Sequence, residues 1–182
     1  MNFLEQLRDI DTFVFDVDGV FTNNQLLVTE SGDLLRSMNA RDGFAVKHAL
    51  RAGYKVVIIT GGNSRGVSIR LRNLGISELY TGISDKKTVL SGYLQQSNTD
   101  SASVLYMGDD LLDYHAMRLC GIPACPNDAA HEIIELAQYV SPYNGGEGCV
   151  RDVIEKVMRL HNRWLDDVQA ADEQRLKQGL SS

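Results

Sequence analysis

The sequence predicts an α/β domain built on a Rossmann-like, mostly parallel sheet flanked by helices. Three observations predict it. Apolar runs of strand length alternate with helical stretches along most of the 182 residues, the order that places crossover helices between parallel strands. Two runs, Val56-Val57-Ile58-Ile59 and Val104-Leu105-Tyr106-Met107, are apolar throughout, which suits strands covered on both faces. Three runs end in a polar residue, Asp16, Thr60 or Asp109. Ligands of such sheets sit beyond the carboxyl ends of the strands, so one crevice is expected to gather all three.

Taken in order, Phe13-Val14-Phe15 is a buried strand that runs into Asp16-Val17-Asp18-Gly19. Residues 25–38 alternate weakly around Glu30-Ser31-Gly32-Asp33, which reads as a β-hairpin with a glycine turn. Asn39-Ala40-Arg41-Asp42-Gly43 is a loop, with Asp42 placed to cap a helix over 44–52 that Gly53 ends. Lys55 to Thr60 is a strand. Residues 64–74 are helical, with Val67, Leu71 and Leu74 on one face and Gly75 as the stop. Ile76 to Tyr80 is a short strand, and Asp85 caps the helix that carries Val89, Leu90, Tyr93 and Leu94. After the strand at 104–107 a helix is expected over 111–119, then a strand over 122–125, a helix over 127–137 and a last strand at Tyr139-Val140. Gly145-Gly146-Glu147-Gly148 is a loop before a helix from Val150 to about Trp164, where Trp164 is expected to anchor the helix. Residues 1–164 form a single domain, and 165–182 a polar tail expected to fray.

Composition excludes several functions. A net charge of -6 argues against a nucleic-acid binder, and no apolar run is long enough to span a membrane. The first ten residues lack the basic-then-apolar layout of a signal peptide. Cys120, Cys125 and Cys149 are an odd number without a CxxC pair, so reduced, buried thiols in a cytoplasmic protein are expected. His48, His115, His131 and His161 show no ligand spacing.

The chemistry is carried by acids. Asp16 and Asp18 stand one residue apart at a strand end, and Gly108-Asp109-Asp110-Leu111-Leu112-Asp113 follows another. Capping alone does not need three acids so close. Crowded carboxylates want a cation, and oxygen ligands from both clusters suit Mg²⁺.

Asp16-x-Asp18, Thr60, Lys86 and Gly108-Asp109-Asp110-x-x-Asp113 occur in an order that resembles the four motifs of the haloacid dehalogenase superfamily. The gaps leave no room for a folded cap domain, which is similar to the capless branch of sugar-acid phosphatases. Asp16-Val17-Asp18-Gly19-Val20-Phe21-Thr22, Asn39-Ala40-Arg41-Asp42-Gly43 and Gly145-Gly146-Glu147-Gly148-Cys149-Val150-Arg151 strengthen that likeness, which covers roughly residues 8 to 164.

The resemblance implies a Mg²⁺-dependent phosphatase of an acidic sugar phosphate: the 8-phosphate of an eight-carbon sugar acid, or alternatively the 9-phosphate of a sialic-type nine-carbon acid. A non-catalytic assembly module on the same fold is the reading from another class. The resemblance further implies Asp16 as nucleophile, Asp18 as proton donor and acceptor, Thr60 and Lys86 on the phosphoryl oxygens, and Asp16, Asp18, Asp109 and Asp113 around the metal. Substrate contacts are implied for Asp18, Asn39, Ala40, Arg41, Asp42, Gly43, Lys47, Gly61, Arg70 and Lys86, and a homotetramer whose hairpins pack together. The chain departs from the branch at Gly62, where an arginine is common.

Overall fold

The computed structural model describes residues 3–165. The helices are α1 (Phe3–Arg8), α2 (Ala40–Arg51), α3 (Arg65–Asn73), α4 (Lys86–Ser97), α5 (Tyr114–Met117), α6 (His131–Leu136) and α7 (Cys149–Leu160). The strands are β1 (Thr12–Phe15), β2 (Leu27–Val28), β3 (Leu34–Leu35), β4 (Lys55–Ile59), β5 (Glu78–Tyr80), β6 (Val104–Met107), β7 (Ile122–Cys125) and β8 (Tyr139–Val140). Six strands form one sheet in the order β5-β4-β1-β6-β7-β8, and every pairing in it is parallel.

Alternation along the central strands builds two cores. Phe13, Phe15, Val56, Ile58, Leu105 and Met107 face α1, α2, α3 and α7. Val14, Val57, Ile59, Val104 and Tyr106 face α4, α5 and α6. All but Val56 are at most 1% exposed, and full burial of such side chains stabilises by about 1.5–3 kcal/mol each. The expected strands are therefore continuous apolar runs because helices cover both faces. The chain leaves β1 towards β4 and β5, then returns to β6 on the other side. That reversal opens a crevice beyond the carboxyl ends of β1 and β6.

Three local expectations are corrected. Asp42 does not cap its own helix: Asn39 is the N-cap of α2, its side chain accepting from Arg41 N, and the helix starts at Ala40. Asp42 lies on the buried face and accepts instead from Arg151 N in the first turn of α7 (2.8 Å). The helix expected over 111–119 shrinks to α5, because residues 110–113 make a turn closed by Asp113 N donating to Asp110 O (2.8 Å). Leu111 and Leu112 are exposed. The helix expected over 127–137 is α6 alone, preceded by a turn.

The hairpin pairs Leu27 with Leu35 and Val28 with Leu34. Its Leu26, Leu27, Val28, Leu34 and Leu35 are each at least 45% exposed. Trp164 packs edge-on against Phe44 and His48, tying the end of α7 to α2. The three cysteines are free thiols, Cys125 and Cys149 buried. No helix among the described residues is long and apolar enough to cross a membrane. The polar tail expected to fray, residues 165–182, lies outside the described residues apart from Leu165.

Candidate active site

Strand ends deliver the acids. β1 places Asp16 one residue past Phe15, where Asp16 N still donates to Met107 O of β6 (3.1 Å). The chain then turns at Gly19, whose φ is +86°. A Cβ there would be strained by that angle and would overlap Asp109 Oδ2. β6 delivers Asp109, and the turn after it brings Asp113 back under the sheet end. Asp16, Asp109 and Asp113 offer oxygens that all lie within 4.8 Å of one another. The glycine-rich loop braces this corner from behind. Gly146 N donates to Val20 O (2.9 Å), and a Cβ on Gly145 would collide with Gly19 O.

Lys86 opens α4 directly after its cap Asp85. It points inward, while Lys87 is exposed. Its ammonium sits 2.9 Å from Asp16 Oδ2 and 2.7 Å from Asp113 Oδ1, with its side chain only 1% exposed. Burial works against its charge, but Asp113 and Asp16 more than offset that and hold it protonated above the usual lysine range. Asp113 Oδ1 also accepts from Tyr106 OH (2.8 Å), and its Oδ2 from Asp109 N (3.3 Å). Both oxygens are thus engaged, which makes Asp113 an anchor for its neighbours.

One buried cation does not balance three buried acids. Burial, and then Asp113 beside it, push Asp16 up to about 6 in spite of Lys86. Burial pushes Asp109 up to about 7, against a hydrogen bond from Asn24 Nδ2 (2.7 Å) and with help from Asp16 and Asp113. Asp16 Oδ1 is buried without a hydrogen-bond partner among the described residues. Such an oxygen is costly to bury and suits a cation ligand. A hard divalent ion taking carboxylate oxygens therefore fits this cluster.

A cleft of about 190 Å³ opens on the cluster, lined by Asp16, Asp18, Asn24, Thr60, Gly61, Gly62, Lys86, Asp109 and Asp113 among others. Thr60 is 3% exposed, and its hydroxyl accepts from Gly62 N (3.2 Å). Asp18 forms a two-point pair with Arg36, from Nε to Oδ1 at 2.7 Å and from Nη2 to Oδ2 at 3.1 Å.

The structure thus gathers Asp16, Asp18, Thr60, Gly61, Lys86, Asp109 and Asp113. It sets the other expected substrate residues apart from this cleft. Asn39 and Arg41 line a separate groove of about 820 Å³ with Tyr143 and Arg151. Asp42 and Gly43 are buried in the α2 packing, and Ala40 and Lys47 are exposed on α2. Arg70 lies on α3 beside the hairpin. Two residues were missed, Asn24 on Asp109 and Arg36 on Asp18. Their partners are 85 and 18 residues away, and no local spacing in the sequence signals either contact.

This constellation belongs to a known class. Residues 68–154 match the family model of the haloacid dehalogenase-like hydrolases. The 3-deoxy-D-manno-octulosonate 8-phosphate phosphatase KdsC of Escherichia coli K12 is 34% identical over 155 residues, 85% of this chain and 82% of that protein. The chain belongs to the haloacid dehalogenase-like hydrolases, and within them it is a phosphatase. Two solved structures are close to it. The 3-deoxy-D-manno-octulosonate 8-phosphate phosphatase of Moraxella catarrhalis, in complex with a magnesium ion, a phosphate ion and a KDO molecule, superposes with a TM-score of 0.88 at 28% identity, covering 92% of this chain and 96% of that one. The cobalt-bound deoxy-D-mannose-octulosonate 8-phosphate phosphatase of Haemophilus influenzae gives 0.84 at 27% identity, covering 89% and 95%.

Proposed function

We propose that this phosphatase hydrolyses 3-deoxy-D-manno-octulosonate 8-phosphate to the free sugar acid and phosphate, as a cytoplasmic step in surface-polysaccharide synthesis. The observation that carries the reading is the buried Asp16 carboxylate, held through one oxygen by Lys86 and left unpaired among the described residues at the other, at the floor of an acid-lined cleft. The similarity to phosphatases named for that substrate supports the choice of ester.

In the proposed reaction an Asp16 oxygen attacks phosphorus. The bond from phosphorus to the ester oxygen breaks, and Asp18 gives its proton to the leaving alkoxide. An aspartyl-phosphate remains on Asp16. Asp18, now a carboxylate, takes a proton from water as that water attacks the same phosphorus, and the bond to Asp16 breaks. Thr60 Oγ1 and the Lys86 ammonium donate to the phosphoryl oxygens, Lys86 offsetting the charge that develops. Asp16, Asp109 and the Asp18 carbonyl would hold Mg²⁺, with Asp113 fixing the residues and waters around it. When bound, the ion neutralises charge so that an anionic ester can approach an anionic carboxylate.

The exposed hairpin leucines fit a homotetramer in which hairpins pack together. The substrate roles expected for Asn39, Ala40, Arg41, Asp42, Gly43 and Lys47, outside the cleft of one chain, would then depend on what a neighbour presents. The deciding test is steady-state phosphate release with Mg²⁺ from a panel that includes the octulosonate 8-phosphate and a nine-carbon sialic-type 9-phosphate. The reading expects the highest kcat/KM on the eight-carbon ester. Preference for the nine-carbon ester would shift the assignment, and no turnover of either would leave the assembly-module reading.

A further inference from the structure

The Arg36–Asp18 pair sits where the proposed reaction needs a free carboxyl. Arg36 follows β3 at the root of the hairpin. Its side chain is 10% exposed, and its third nitrogen is tied down as Nη1 donates to Leu34 O (3.1 Å). Its other two nitrogens occupy both oxygens of Asp18. A carboxyl whose two oxygens both accept from a guanidinium is turned towards that partner, and protonating a leaving alkoxide competes with the pair. The pair therefore has to open for Asp18 to act.

What opens it must offer Arg36 another anion, because uncovering a largely buried guanidinium without one is costly. The surroundings of Arg36 are cationic. Between the hairpin and α3 runs a groove of about 790 Å³ with Arg36 on its wall, and its charged lining among the described residues is Arg36, Arg65 and Arg70 against Asp33. Gly62, on the lining of the cleft, leaves room beside the pair. A Cβ there would lie 3.1 Å from Asp18 Oδ2 and 3.7 Å from Arg36 Nη2, so a larger side chain would enter the space in which the pair forms and parts.

We propose that Arg36 is a positioning and specificity residue, whose guanidinium exchanges Asp18 for a carboxylate on the substrate, so that an ester carrying a second acid frees Asp18 and an ester without one does not. The proposal rests on the phosphatase reading above, but not on which sugar acid is the natural substrate. Arg36 accordingly contributes twice. It binds the acid end of the ester in the groove, and by leaving Asp18 it couples that binding to proton transfer. Fork geometry favours arginine for such an exchange between carboxylates.

The test uses the intact chain with saturating Mg²⁺ and compares it with Arg36→Gln and Arg36→Lys. Hydrolysis of p-nitrophenyl phosphate is followed, because this ester carries no acid besides its phosphate and has a leaving group that needs little protonation. Two competitors that differ in one carboxylate, 3-phosphoglycerate and glycerol 3-phosphate, are titrated against it. The intact enzyme is expected to bind 3-phosphoglycerate about 10–100-fold more tightly, as suits one charge-assisted pair. Arg36→Gln should erase that preference while raising kcat for p-nitrophenyl phosphate several-fold, because Asp18 no longer has to be released before it activates water. Arg36→Lys should restore part of the preference. A merely structural role would instead lower kcat and leave the ratio of inhibition constants intact. That result, or an intact enzyme with no preference within the pair, overturns the proposal. Failure to hydrolyse any phosphate ester would be failure of the phosphatase reading itself, which the same assay shows separately.

Discussion

Replacing Lys86 by Met removes the buried cation of the acid cluster while keeping most of the side-chain volume. In the wild-type protein its ammonium is shared between Asp16 and Asp113 at 2.9 and 2.7 Å. Its loss leaves Asp16, Asp109 and Asp113 facing one another with no compensating charge, and removing one partner of a buried pair costs about 3–5 kcal/mol. The acids respond by holding protons. Asp16, already raised to about 6 chiefly by burial, loses the contribution that lowers it and moves higher. A carboxyl whose folded pKa is raised destabilises as pH rises past its unfolded value near 3.8, since the unfolded chain gives up the proton first. The defect should therefore be small near pH 4–5 and grow through pH 6 to 8. Urea unfolding of metal-free wild type and Lys86→Met at pH 5 and pH 8 measures it directly. Added Mg²⁺ should recover part of the loss at pH 8. A variant within about 1 kcal/mol of wild type at pH 8 would refute the view that Lys86 balances this cluster, given what such pairs cost to break.

Three further outcomes are expected. Asp42 is buried, with its Oδ2 unpaired among the described residues and its pKa raised to about 6 by burial against the Arg151 N–H. By the same sign it weakens the fold as pH rises from about 4 to 6, by an amount on the order of 3 kcal/mol, so thermal melts of Asp42→Asn should lose that pH dependence. Gly19→Ala forces a side chain onto Asp109 Oδ2 at a positive φ; it should abolish turnover and the stabilisation that Mg²⁺ gives in a thermal shift, and a variant with wild-type activity would contradict the corner described here. Changing Leu26 and Leu34 to Asp should lower the sedimentation coefficient if hairpins pack between copies, and an unchanged value would count against the tetramer.

Much of this was legible in the sequence because two-sided burial writes continuous apolar runs, so β1, β4 and β6 stand out by composition alone. Glycine stops were equally plain: Gly53 and Gly75 follow the ends of α2 and α3 as expected. The acids of the cleft were legible because they cluster within a few residues of the ends of two such runs, at 16–18 and 109–113. Other features were set by tertiary contact. Residues 111–113 look helical, yet the chain spends them on a turn that returns Asp113 to Lys86 and Tyr106. Asp42 has the spacing of a cap, but Asn39 is closer to the helix start, and burial sends Asp42 to α7 instead. Asn24 and Arg36 carry no motif because the fold alone brings them to Asp109 and Asp18.

The central claim is that Asp16 carries the phosphoryl group and Asp18 manages the protons. Asp18→Asn, mixed with Mg²⁺ and an excess of the octulosonate 8-phosphate and quenched in acid, should retain a phosphoryl group, since its second step lacks a base. Peptide mass spectrometry is expected to place that group on Asp16, and the same treatment of Asp16→Asn should yield none. Phosphate on another residue, or an Asp16→Asn variant that turns over at a near-normal rate, would contradict the account.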